Sequence, residues 1–170
     1  MANAIVQGLR GKTDAAWAKL NRLVQGMEPY LDRTNAPGEW TTRETLCHLA
    51  GSESPRLVDV VRTFSRTDYP RFDLHPADTA VTPEREEMTL AQLVGLLDTQ
   101  RTEIYAYLDS LPESELTERK LRIPLFKQFM GTDEISLARF VGAMFDFHWD
   151  DHASQLAKIR KAVGLAEAKK

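Results

Sequence analysis

The chain has 170 residues, 42% hydrophobic and 28% charged, with a formal net charge of −3. These figures fit one globular domain over 1–170 and exclude a disordered chain, while the acidic balance argues against a nucleic-acid binder. No apolar run reaches membrane-spanning length, MANAIVQGLRGK lacks a secretory h-region, and Cys47, the only cysteine, permits no internal disulfide, so the expected setting is the cytoplasm.

Trp17, Leu20, Val24, Met27 and Leu31 recur at steps of three and four, which marks one face of a first helix. Thr13 or Asp14 is placed to cap it, while Ile5 and Leu9 extend the same face backwards across Gly8 and Gly11. The segment RTNAPGEW ends it. Thr41 followed by Glu44 is a capping box that opens a second helix running to about Phe64, and Pro55 inside it predicts a kink or a restart. A polar, proline-marked connection covers 66–88. Thr89 with Gln92 makes another capping box, and Leu90, Leu93, Val94, Leu97, Ile104, Leu108 and Leu111 draw the stripe of a third helix. Residues 112–135 read as irregular, with LRIPLF a short extended piece. A fourth helix runs from Ser136 to Val163, with Lys158, Arg160 and Lys161 near its end and Gly164 as its C-cap. The pattern predicts an all-α, antiparallel four-helix bundle with long irregular connections.

The fourth helix contains FDFHWDDHASQLAKIRKAVG, residues 145–164. On a regular helical wheel Leu137, Val141, Met144, His148, Gln155 and Ile159 fall within roughly 60° of one another, which puts His148 near the middle of the apolar stripe. His152 lies about 40° to one side and one turn further on. An H-x-x-x-H pair has the spread for two metal bonds of about 2.0–2.1 Å. Unpartnered buried imidazoles would cost desolvation, so either a metal or hydrogen-bonded neighbours must satisfy them. Spacing alone weighs the two readings equally. His48 is the third candidate, although its wheel position falls opposite Leu46 and about 100° from Leu49. A bend at Pro55, or a helix buried on more than one side, would reconcile it.

The set Trp40, His48, Leu49, Ala50 and Glu53, followed a hundred residues later by H-x-x-x-H, resembles the DinB/YfiT-like superfamily of four-helix bundles over almost the whole chain. The resemblance implies one divalent metal (Ni, Zn, Fe or Mn) bound by His48, His148 and His152. Three neutral imidazoles leave coordination positions open for water or substrate, where the metal is a Lewis acid that lowers the pKa of a bound water or thiol. The implied function is a thiol-dependent S-transferase or a hydrolase acting on a small molecule, with a low-molecular-weight thiol as a possible partner. The alternative is a non-catalytic small-molecule-binding or stress-response protein on the same bundle, and a third reading is a bundle that keeps its histidines without metal. A homodimer is implied by the resemblance alone. Despite the family's name, nothing in the residues points to DNA.

Other residues carry two readings each. Glu44 can accept from His48 but is explained by the capping box. Glu53 falls near Leu46, Ala50 and Leu57, so it contacts a ligand histidine, pairs with an arginine, or is exposed. Asp151 projects beside His148, with a solvated position the simpler reading. Cys47 points away from His48 and reads as core. His75 reads as an exposed loop residue, and Arg119, Lys120, Arg122 and Lys127 either steer an anion or solvate a loop. Trp40 and Trp149 are expected to pack against the bundle.

Overall fold

Asn3 starts the first helix, α1 (Ala4–Val24), its side chain accepting from the Ile5 N–H at 2.9 Å. The helix thus begins nine residues before Thr13, through Ile5 and Leu9. Thr13 is no cap; it is buried, and its hydroxyl bonds that of buried Tyr105 at 2.6 Å. The computed structural model describes residues 3–166; the ends of the domain expected over 1–170 lie outside them.

The second helix divides. Its opening is the capping box read from sequence: the Glu44 carboxylate accepts from the Thr41 N–H at 2.7 Å, and the Thr41 hydroxyl accepts from the Glu44 N–H at 3.1 Å. α2 (Thr42–Ala50) then stops at Gly51, whose φ of +72° suits glycine and whose N–H bonds the carbonyls of Cys47 and His48. A separate α3 (Leu57–Thr63) follows the proline. The expected helix to Phe64 thus ends at Gly51 and restarts at Leu57, two residues beyond Pro55, so of the kink or restart expected there it is the restart that is found.

Within the 66–88 connection only α4 (Pro83–Glu86) is helical among the described residues. α5 (Leu90–Leu108) opens with the Thr89–Gln92 capping box and buries Leu93, Leu97, Ile104 and Leu108. Residues 112–135 hold more structure than expected: α6 (Glu113–Thr117), β1 (Lys120–Arg122), α7 (Lys127–Met130) and β2 (Glu134–Ser136). β1 and β2 form an antiparallel pair with Leu121 opposite Ile135, both buried, so LRIPLF is extended only over its first residues, and Pro124–Phe126 turns into a 3-10 helix.

The last long helix is α8 (Leu137–Gly142), a π-helical segment (Ala143–Phe147) and α9 (His148–Ala162) in series. Its buried positions include Val141, Phe145, Trp149 and Ala153. Three successive steps of four would carry a regular helix about 120° off its face. The wider π turn absorbs that drift.

α1 lies along α9 and touches α8 and α5, α2 and α3 pack on α5, and α2 also meets α9, which closes a four-helix bundle. Leu20, Leu97, Ile104, Leu108, Phe140 and Trp149 meet in its core, each worth about 1.5–3 kcal/mol of transfer free energy. No helix among the described residues is long and apolar enough to cross a membrane.

Candidate metal centre

The bundle brings His48, on α2, against His148 and His152, on α9. Their ring centroids are 4.7–4.9 Å apart, and one nitrogen from each lies within 4.8 Å of the others. The wheel conflict at His48 disappears because α2 is buried on several sides: Thr42, Thr45, Leu46, Cys47, Leu49 and Ala50 are all covered, by α5 on one side and α9 on another. His148 departs from expectation in the opposite sense. The buried row of α9 is Trp149, Ala153, Leu156 and Ile159, and His148, His152 and Gln155 form a half-buried row beside it, facing α2. The π segment immediately before His148 shifts the register that an ideal wheel carries through unchanged.

Two of the rings are oriented by a bond to their other nitrogen. His48 Nδ1 donates to the Asp78 backbone carbonyl at 2.6 Å, and His152 Nδ1 donates to Gln155 Oε1 at 2.9 Å. A carbonyl oxygen only accepts, so Nδ1 of His48 and of His152 carries the proton and the Nε2 of each is left as a bare lone pair. His148 turns its Nε2 to that of His48.

The Nε2 atoms of His48 and His148 are 2.8 Å apart. With His48 Nε2 a bare lone pair, what stands between the two nitrogens is the N–H of a neutral His148 or a shared cation. An additional proton, making an imidazolium, is disfavoured: burial lowers the His48 pKa, and burial reinforced by the neighbouring His152 and His48 lowers that of His148 to about 3. A divalent metal fits the donor set in kind, three imidazole nitrogens within 4.8 Å of one another, and bonds of about 2.1 Å would bring their spacings, 2.8 Å for the nearest pair, to about 3.0–3.5 Å by small side-chain movements.

The flanking residues sort differently. Glu44 is committed to its capping box and touches no site histidine. Glu53 lies in the loop beyond α2 and pairs with buried Arg85, its carboxylate 3.3 Å from Nε. Asp151 is exposed, which meets the solvated reading. Cys47 is buried, and burial pushes its thiol pKa up. Trp149 packs in the core against Phe145, as expected, but Trp40 packs on the site itself. Its ring stacks on His152 at 5.7 Å and 4°, and lies 4.8 Å from His48. Arg119, Lys120 and Arg122 pair locally with Glu115, Glu134 and Asp133.

Sequence reasoning missed Asp78, whose contribution is a backbone carbonyl and leaves no mark in residue type. Gln155 was legible as the i+3 neighbour of His152 on the same face. His75, read as unrelated, stands in the wall of a cavity of about 220 Å³ that also includes His48 and His148.

Fold and site define a four-helix bundle carrying a three-histidine cluster between its second and last long helices. The chain belongs to the DinB superfamily, whose family model matches residues 12–156. In fold it is similar to YfiT from Bacillus subtilis, with a TM-score of 0.73 and 18% identity over 98% of this chain and 91% of that one. YfiT is described as a probable metal-dependent hydrolase with an unusual four-helix bundle topology. Among curated proteins no sequence match is found.

Proposed function

We propose that this protein is a metal-dependent enzyme in which His48, His148 and His152 hold one divalent metal, and that it acts on a small molecule as a hydrolase or a thiol-dependent S-transferase. The observation that carries the reading is the convergence of three imidazole nitrogens, two of them 2.8 Å apart, in surroundings that disfavour an imidazolium. YfiT's description supports the hydrolase arm. Bound there, a Zn, Ni, Fe or Mn ion supplies Lewis acidity, polarising a carbonyl and acidifying a water or a thiol.

The chain's own residues do the rest. Asp78 and Gln155 fix the tautomers of His48 and His152, Trp40 covers one side of the rings, and the neighbouring cavity gives a substrate access to His48 and His148. Cys47 is too buried to be the nucleophile, so the attacking group comes from water or from a free low-molecular-weight thiol.

Elemental analysis of untagged protein should find about one divalent ion per chain. A screen of ester and amide hydrolysis and of thiol conjugation should find an activity that chelation removes and the metal restores. Metal without any turnover would favour a non-catalytic binding or stress-response role, and protein with neither would overturn the proposal. We further propose a cytoplasmic homodimer with no nucleic-acid or membrane partner; a monomeric mass by light scattering at micromolar concentration would overturn the dimer.

A further inference from the structure

The cavity beside the histidines has in its wall a buried polar group that the metal reading does not use. Gln100, on α5, is buried to 8% exposure and stands in the cavity wall. Its Nε2 donates to the Ala50 carbonyl at 2.8 Å, which fixes the orientation of the amide, because the opposite assignment would set two oxygens against each other. Its Oε1 then has no hydrogen-bond partner. A buried acceptor left unpaired is costly, and an occupant that donates to it removes the cost.

The rest of the wall states what that occupant is. Val60, Phe72 and Leu125 make it mainly apolar, and His48 and His148 lie at the same cavity. At about 220 Å³ it is somewhat larger than the apolar cavity of roughly 150 Å³ that takes benzene. It therefore suits one ring with a short side group. Neither lysine nor arginine stands among the lining residues, whereas Asp73 and Asp78 do, so in the metal-free protein an anion finds no cationic side chain there.

We propose that this cavity is the substrate subsite, and that it selects an uncharged, one-ring-sized molecule whose N–H or O–H donates to Gln100 Oε1. The inference rests on the proposed metal centre for its catalytic meaning, since a group held there lies beside His48 and His148. Its binding content is independent of the metal. The selection follows the rule that a site built to pair a donor rejects the analogue that lacks it.

The test uses the full chain stripped of metal with a chelator, titrated by calorimetry with acetanilide, phenyl acetate and benzoate. The first two differ by an amide N–H against an ester oxygen. Acetanilide should bind at least tenfold more tightly than phenyl acetate, about 1.4 kcal/mol, and benzoate should bind most weakly. Gln100→Met should bring the acetanilide and phenyl acetate affinities to within twofold of each other, and Leu125→Trp, which fills the cavity, should weaken both. The comparison of ligands on the unmodified chain decides the question even if a variant folds poorly. Equal affinities, no binding of acetanilide, or a preference that survives Gln100→Met in folded protein would overturn the subsite. An intact preference in protein that takes up no metal would overturn the metal centre alone.

Discussion

His148 is the residue at which the metal and hydrogen-bond readings part. As a ligand it is one of three protein donors, and losing a partner that only orients a ligand already costs 10–100-fold in affinity. His148→Ala is expected to weaken divalent-metal binding by on the order of 100-fold or more, by titration calorimetry, while the fold survives. Metal should raise the melting temperature of the parent, because it binds only the folded state, and leave that of the variant unchanged. Asp151→Ala, at an exposed neighbour, should behave as the parent. Equal metal-induced shifts in parent and His148→Ala would remove His148 from the ligand set. Cys47 gives a second check at this scale. With no exposed surface and a thiol pKa raised by burial, it should resist a disulfide reagent at pH 8 until the protein is denatured. Rapid labelling of native protein would contradict its place in the core. The sequence made these side chains legible to different degrees. The histidines and the buried cysteine carry their chemistry in their type, whereas Asp78 acts through a carbonyl that every residue possesses, and Gln100 looks like any polar interruption of a helix.

The helices were legible where local chemistry marks them. Both capping boxes, Thr41 with Glu44 and Thr89 with Gln92, open helices as their spacing implies. The restart beyond Pro55 was legible because a proline announces itself, whereas the end at Gly51 was not, since a glycine ends a helix only when the chain beyond it leaves in a positive-φ turn. The π segment was invisible for a different reason: a 3.6-residue wheel assumes the very register that the segment changes. That register bears on the site, because His148 follows directly on Phe147. Deleting Ala143 is expected to restore a regular helix and rotate α9 by about 100° relative to α8. The variant should keep its far-ultraviolet dichroism but lose most of its metal affinity. Unchanged metal binding would show that the π turn does not set the position of His148.

At the scale of the whole molecule, the long connection over 66–88 is as much a part of the site as the helices, and Arg85 is what ties it down. Its guanidinium is buried, with Nη1 donating to the carbonyls of Gly51 at 2.7 Å, Ala80 at 2.9 Å and Cys47 at 3.3 Å, while Nε faces the Glu53 carboxylate. One side chain thus satisfies the end of α2 and fixes the loop two residues from Asp78, the acceptor that orients His48. Arg85→Met removes the donors and leaves the carbonyls behind, part of them without water to replace the bond. The expected loss is about 3 kcal/mol in chemical denaturation. Arg85→Lys should recover only part of it, because a single ammonium lacks the fan of donors that spans these partners. Since the loop also holds the His48 tautomer, Arg85→Met should in addition weaken metal binding about tenfold, measured under conditions where the variant is fully folded. A stability loss with metal affinity untouched would mean that Asp78 stays in place without its clamp, and that the loop is positioned by its apolar contacts rather than by the arginine.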